Sequence, residues 1–243
     1  MTDDFEQRNR EFVERMGADD DLRHLTREWF AASSKYEYSY HFKWLGRPII
    51  QFPQDIVALQ EIINEVRPQL IIETGIARGG SLIFSASMLE LLGGNGRVIG
   101  IDIEIRSHNR VEIERHPLAR RITMIEGSSV DEKIFDRVLH EADGSEPVLV
   151  ILDSDHTHAH VLRELEMYSP LVHRGSYLVV FDTVIAEMPD GFSGERPWSP
   201  DNNPKTAIRE FLKTNDRFEV DRTIEDKLLI TVAPGGYLRC IKD

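Results

Sequence analysis

The sequence predicts an α/β fold in which a doubly wound, mostly parallel sheet is covered by helices on both faces. Three observations carry this. Short runs of Val, Ile and Leu recur at residues 70–72, 98–101, 122–125, 148–152 and 177–181. Segments with helical spacing of apolar residues, at 55–66 and 81–92, precede and separate the first two. Every run closes on an acid or on an acid and a glycine. Apolar runs of this length, alternating with helical stretches, are what strands buried on both faces require.

Each element follows from local pattern. Residues 1–30 scatter Phe12, Val13, Met16, Leu22, Leu25, Trp29 and Phe30 among charged positions, which reads as one or two amphipathic helices. The aromatic stretch 36–44 is either a connector whose rings pack on the core or a flap over a ligand, since Tyr and Trp combine an apolar body with a polar tip. Residues 55–66 place Ile56, Leu59, Ile62, Ile63 and Val66 on one helical face. A strand at 69–74 then turns at Gly75. A second helix, 81–92, is ended by Gly93, Gly94 and Gly96. Further strands are expected at 97–102, 122–127, 147–153 and 176–182. The tail, 218–221, 227–232 and 234–240, reads as strands with turns that include an antiparallel edge. The expected organisation is an N-terminal helical and aromatic extension, 1–53, followed by one domain, 54–243.

Composition narrows the function. Of 243 residues, 42 are acidic and 29 are Lys or Arg, a formal net charge of −13. Binding to phosphate backbones or anionic lipid favours the opposite sign. The one cysteine, Cys240, permits no internal disulfide, which fits a reducing cytoplasm. No apolar run approaches the roughly 18–20 residues of a spanning helix, and the acidic opening Met1-Thr2-Asp3-Asp4 does not resemble a secretory signal. The expectation is a soluble cytoplasmic protein with no nucleic-acid or membrane partner.

In sheets of this kind ligands bind beyond the carboxyl ends of the strands, near the point where strand order reverses. Here those ends carry Glu73, Asp102, Glu126 with Ser129, Asp153 with Asp155, and Asp182. Five acids in succession, each directly after an apolar run, predict one polar crevice. The turn Glu73-Thr74-Gly75-Ile76-Ala77-Arg78-Gly79-Gly80-Ser81 is neither a GxGxxG fingerprint nor a P-loop. A carboxylate at Glu73 suits an amine, not a diphosphate. Asp102 can accept from ribose hydroxyls, and Ser128 and Ser129 can meet an adenine edge. An amine-bearing nucleoside such as S-adenosylmethionine fits this set better than NAD.

These segments resemble a known family. Glu73-Thr74-Gly75 with Gly79-Gly80-Ser81, Val98 to Asp102, and Leu152-Asp153-Ser154-Asp155-His156-Thr157 look like class I S-adenosylmethionine-dependent O-methyltransferases. The branch most similar is that of cephalosporin hydroxylase and rhamnosyl O-methyltransferases, which Trp44-Leu45-Gly46-Arg47-Pro48 and Asn202-Asn203-Pro204-Lys205-Thr206-Ala207 also resemble. The resemblance implies a Rossmann-like methyltransferase fold. It implies that Glu73, Gly75, Gly79 and Ser81 hold the methionine part of the cofactor, Asp102 the ribose, and Ser128 and Ser129 the adenine. It assigns a divalent cation, usually Mg²⁺, to Asp153 and Asp182, and the general base to His156. Relatives with Glu-Asp have one more carboxylate than Phe181-Asp182 here. Others follow the Asp with Asn where this chain has Thr183, which leaves Thr183 or water for the third cation position. The acceptor implied is a sugar or glycoside of rhamnose or mannose type, in a polysaccharide, glycolipid or secondary metabolite. A homo-oligomer is implied as well.

Three other readings compete. His156, His158 and His160 with Asp153 suggest a non-haem iron site, although His158 and His160 are expected to open a helix and point apart. Asp153-Ser154-Asp155 matches the DxD of metal-dependent glycosyltransferases. The chain could also bind the cofactor without turnover. The long segment 187–204, with Gly191, Gly194 and Trp198, is expected to border the acceptor pocket.

Overall fold

The computed structural model describes residues 4–189 and 194–243; Met1 to Asp3 and Gly191 therefore lie outside the described residues. Two helices open the chain, α1 (Asp4–Gly17) and α2 (Asp20–Ser34), the second capped by Asp19 through the Leu22 amide. A short antiparallel hairpin, β1 (Lys43–Trp44) and β2 (Arg47–Pro48), leads into α3 (Pro53–Val66). The chain then alternates: β3 (Leu70–Thr74), α4 (Gly80–Leu92), β4 (Arg97–Asp102), α5 (Ser107–Glu114), β5 (Ile122–Glu126), α6 (Glu132–Ala142), β6 (Val148–Leu152), α7 (His158–Tyr168), β7 (Tyr177–Val180). It closes with α8 (Pro204–Thr214), β8 (Phe218–Val220), α9 (Arg222–Leu228) and β9 (Tyr237–Cys240).

The seven main strands lie in the order β5-β4-β3-β6-β7-β9-β8. The first five are parallel, and β9 runs antiparallel to both β7 and β8. The doubly wound sheet with an antiparallel edge and N-terminal helices is thus as the sequence predicts. Alternation along each central strand splits the core into two layers. Ile71, Leu149 and Ile151 face α3 and α4, together with Phe30 of α2. Leu70, Ile72, Val148, Val150 and Leu152 face α6, α7 and α8.

The tail differs from expectation in one place. Residues 222–228 form a helix, capped by Asp221 through the Thr223 amide, and 229–236 form a turn, not a strand. The run 228–232 is apolar because it closes one end of the core. Leu228 and Ile230 pack against that core, Val232 is buried in it, and Leu229 turns the chain at φ 56°, ψ −59°.

The topology positions the site. From β3 the chain builds outward through β4 to β5, then returns to β6 on the other side of β3. That reversal opens the sheet's carboxyl edge between β3 and β6. Thr74 is level with Ile101 on one side and Leu152 on the other, so Gly75, Asp102 and Asp153 all follow at the same height.

Candidate active site

The turn after β3 forms one wall. Glu73 is only 1% exposed. One carboxylate oxygen accepts from the Ser81 hydroxyl, while the other, Oε2, has no partner among the described residues. Burial pushes its pKa up to about 7 despite the Ser81 bond. Gly75 has φ 91°, and a Cβ there would stand 2.0 Å from the Asp153 carbonyl oxygen. Glycine is required because the turn crosses directly over the end of β6. Gly79, at φ 80°, is the N-cap of α4, and a Cβ on it would strike the Ile113 side chain at 2.3 Å.

Asp102 is half-buried and does more than wait for a ligand. Its Oδ2 accepts from the amides of Ile76 at 2.8 Å and Ala77 at 3.1 Å, and its Oδ1 from Glu104 at 3.2 Å. A carboxylate offers about four lone-pair positions; two are spent on clamping the glycine turn and one on the Glu104 amide of its own loop. Ser129 is buried, and its hydroxyl lies 3.0 Å from His160 Nε2; Ser128 is half-buried beside it. His160 also approaches Ser154, whose hydroxyl donates to the buried Glu164 at 2.7 Å. Burial opposes a charge on this imidazole, but the hydrogen bond and charge of Glu164 outweigh it and raise its pKa. This polar cluster joins the loop after β5 to the loop after β6.

Asp153, His156 and Asp182 come together at the ends of β6 and β7, each offering one atom within 4.8 Å of the others. His156 Nε2 is 3.0 Å from Asp182 Oδ2, and the ring meets Trp198 edge-on, with centroids 4.9 Å apart. Gln51 donates from Nε2 to Asp153 Oδ2 at 3.1 Å. Burial, then the charges of Asp182 and Glu73, hold the Asp153 carboxyl well above the usual carboxylate range. No Lys or Arg pairs with Glu73, Asp153 or Asp182 among the described residues. Three neighbouring acids with no Lys or Arg partner among the described residues are a donor set suited to cations: an ammonium at Glu73, and a hard divalent ion at Asp153 and Asp182.

Several sequence expectations are revised by this geometry. Thr183 is not available to a cation, because it is fully buried and its hydroxyl donates to the Pro234 carbonyl at 3.0 Å. Phe181 points into the core. The third member of the cluster is His156 itself. Asp155 stands outside the cluster and turns onto the Thr157 amide at 2.8 Å. His158 turns to Thr206 and Glu210, and His160 to Ser129, so the two histidines diverge. Glu126, level with Asp102 on the neighbouring strand, is exposed and paired with Arg110.

Comparison with known proteins places this site in a family. A sequence profile described as "Rhamnosyl O-methyltransferase/CmcI" matches residues 36–241. The rhamnosyl O-methyltransferase of Mycobacterium tuberculosis (strain ATCC 25618 / H37Rv) is 34% identical over 194 residues, covering 76% of this chain and 72% of that protein. The chain belongs to the rhamnosyl O-methyltransferase/CmcI family. Among solved structures, an apo structure of CmcI superposes with TM-score 0.58 at 21% identity, covering 84% of this chain and 78% of that one. A CmcI structure with Mg and SAM gives 0.58 at 20%, covering 83% and 77%. At that identity these likenesses show the fold.

The family segment begins after α1 and α2. Between α2 and the residues that follow Asp182 lies a small cavity of about 50 Å³, lined by Arg27 and Phe30 on one side and Val184, Met188 and Thr231 on the other. Part of the aromatic stretch packs against the core, with Tyr38 among Trp29, Phe42 and Phe52, while Tyr36 and Tyr40 are exposed. Trp44 sets its ring edge-on to Phe84 and donates to the Ser87 hydroxyl at 2.9 Å. The family-like run 202–207 is architectural as well. Asn203 caps α8, Asn202 accepts from the His158 amide at 2.9 Å, and Lys205 pairs with Glu187.

Sequence reasoning missed Gln51, Asp55 and Glu164, and considered Ser154 and His160 only in other roles. In sequence they read as polar residues flanking a helix or lining its surface. Only the fold shows Asp55 wholly buried, bonded by Thr231, Val232 and Tyr237.

Proposed function

We propose that the protein is an S-adenosylmethionine- and Mg²⁺-dependent O-methyltransferase acting on a hydroxyl of a sugar or glycoside, of rhamnose or mannose type. The carrying observation is the juxtaposition, at the switch point of a family-matched chain, of Glu73 with a free buried oxygen and the Asp153–His156–Asp182 cluster.

In this reading Glu73 and Ser81 receive the methionine ammonium, and Gly75 and Gly79 let the backbone approach it. Asp102 and the region of Ser128 and Ser129 border the ribose and adenine. Asp153 and Asp182 would hold the cation. A divalent ion bound there lowers the pKa of a coordinated hydroxyl and fixes its orientation. Methyl transfer from a sulfonium is an in-line displacement, so the chain's main task is to hold donor and acceptor in register. His156 stands beside the carboxylates and takes the acceptor's proton. Trp198 holds the imidazole plane and offers a face to a sugar. Residues 54–243 form the methyltransferase domain and 1–53 an extension over it. A cytoplasmic homo-oligomer serving polysaccharide, glycolipid or secondary-metabolite synthesis completes the proposal. Among the described residues no helix is long and apolar enough to cross a membrane.

Calorimetric titration with S-adenosylhomocysteine and S-adenosylmethionine, with Mg²⁺ and then with EDTA, tests the reading. Micromolar binding is expected, followed by methyl transfer to a rhamnoside or mannoside. Absence of binding under both conditions would overturn it.

A further inference from the structure

The two carboxylates assigned to the cation hang from the ends of different strands, and both are supported from one short segment. Asp182 sits at φ 55°, ψ 20°, a left-handed conformation that a residue with a Cβ keeps only where its surroundings hold it. The surroundings are bonded on both sides. The Phe181 amide donates to the Leu152 carbonyl at 3.0 Å. On the other side, the Thr183 hydroxyl donates to the Pro234 carbonyl at 3.0 Å and the Val184 amide to the Val232 carbonyl at 3.2 Å. Asp182 therefore stays in place only as long as residues 231–234 do.

Those residues belong to a turn, and a turn needs an anchor. Asp55, in the first turn of α3, supplies it. Its Oδ2 accepts from the Val232 amide at 3.0 Å, and its Oδ1 accepts from the Thr231 hydroxyl and from Tyr237 at 2.7 Å. Thr231 Oγ1 in turn accepts from the Ala233 amide at 2.9 Å. Four residues earlier, Gln51 donates directly to Asp153. Both side chains are more than nine-tenths buried. A carboxylate in the core carries a desolvation penalty that an apolar side chain would avoid. Here that penalty is offset by three donors, two on the turn and one, Tyr237, at the start of β9.

We infer that Gln51 and Asp55 are positioning residues of the cation centre. Gln51 orients Asp153 directly, and Asp55 fixes Asp182 through segment 231–234. The inference rests on the reading of Asp153 and Asp182 as cation ligands. Outer partners of metal-holding carboxylates typically change metal affinity about 10–100-fold when removed.

The test uses the full chain and reads affinity rather than turnover. Mg²⁺ is titrated calorimetrically with S-adenosylhomocysteine saturating, and S-adenosylhomocysteine is titrated separately in EDTA. The variants are Asp55→Asn, Thr231→Val, the pair together, and Gln51→Met. Each single variant should weaken Mg²⁺ about 10–100-fold while leaving nucleoside affinity in EDTA unchanged. The double variant should lose no more than the worse single one, because both break the same link. Should Asp55→Asn fail to fold, Thr231→Val and Gln51→Met carry the same readouts. Wild-type Mg²⁺ affinity in the variants, or an equal loss of both affinities, overturns the inference alone. A wild-type protein that ignores Mg²⁺ overturns the cation reading and the inference with it.

Discussion

His156 Nε2 stands 3.0 Å from Asp182 Oδ2, with the imidazole edge-on to Trp198. An ionised carboxylate only accepts, so in this geometry Nε2 is the donor to Asp182. The contact fixes the orientation of the ring. It also makes His156 a member of the acid cluster as well as the residue assigned to the proton.

His156→Ala should separate those two roles. Loss of a general base costs about 10²–10⁴-fold in kcat, while affinity for S-adenosylhomocysteine should be unchanged because the residue lies outside the Glu73 turn. Steady-state assays paired with calorimetry check this. Near-normal turnover in the variant would remove His156 from the chemistry.

Glu73 should give the protein a pH signature. Its pKa of about 7 lies above the ordinary 4.5, so the folded state binds a proton that the unfolded chain releases. Stability from this source is complete below about pH 4.5 and is lost as pH rises through about 7. By pH 8 the loss approaches about 3 kcal/mol. Glu73→Gln cannot ionise, so the apo variant should gain stability over wild type across that window. Cofactor binding runs the other way, because an ammonium favours the ionised carboxylate. Wild-type affinity for S-adenosylhomocysteine should rise from pH 5.5 to 8 and flatten above 7. Thermal melts and titrations at several pH values follow both trends, and a flat profile in each would contradict the assignment.

Gly75→Ala should damage the site without touching a polar group. The left-handed conformation alone costs about 1–3 kcal/mol, and the added methyl would sit 2.0 Å from the Asp153 carbonyl oxygen. For a chain of this size each kcal/mol shifts Tm by about 2–4 °C. A lowered Tm together with weakened cofactor binding is expected; an unaltered Tm would mean that the turn does not cross β6 so closely.

Asp102→Ala should lose more than a ligand contact. A hydrogen bond to a charged group contributes about 1.5–3 kcal/mol, which sets the expected loss in cofactor affinity. The variant also leaves the Ile76 and Ala77 amides without their acceptor, so the apo protein should melt earlier. If cofactor affinity falls and Tm does not, the carboxylate serves the ribose alone and the clamp is immaterial.

Much of the architecture was legible because strand burial and helix periodicity are properties of short stretches. Runs such as 148–152 admit few alternatives when both faces of a strand are covered. The acids at strand ends were legible for the same reason: a residue directly after a buried strand must lie at the sheet's edge. The tail failed this rule. Residues 227–232 are apolar as a strand would be, yet they close the core as a helix end and turn, because Asp55 holds Thr231 and Val232.

The sequence by itself determined the sheet, its polar carboxyl edge, the glycine turn and the acids at the carboxyl ends of β3, β4, β6 and β7. It could not determine which polar groups meet. Tertiary structure decided that His156 joins Asp153 and Asp182, that Thr183 turns away to Pro234, that Asp102 clamps its own glycine turn, and that Gln51 and Asp55 support the two carboxylates from 102 and more than 120 residues away. Periodicity records which face of an element is buried. Hydrogen-bond partners distant in the chain leave no periodic trace, and only the packed sheet brings them within about 3 Å of one another.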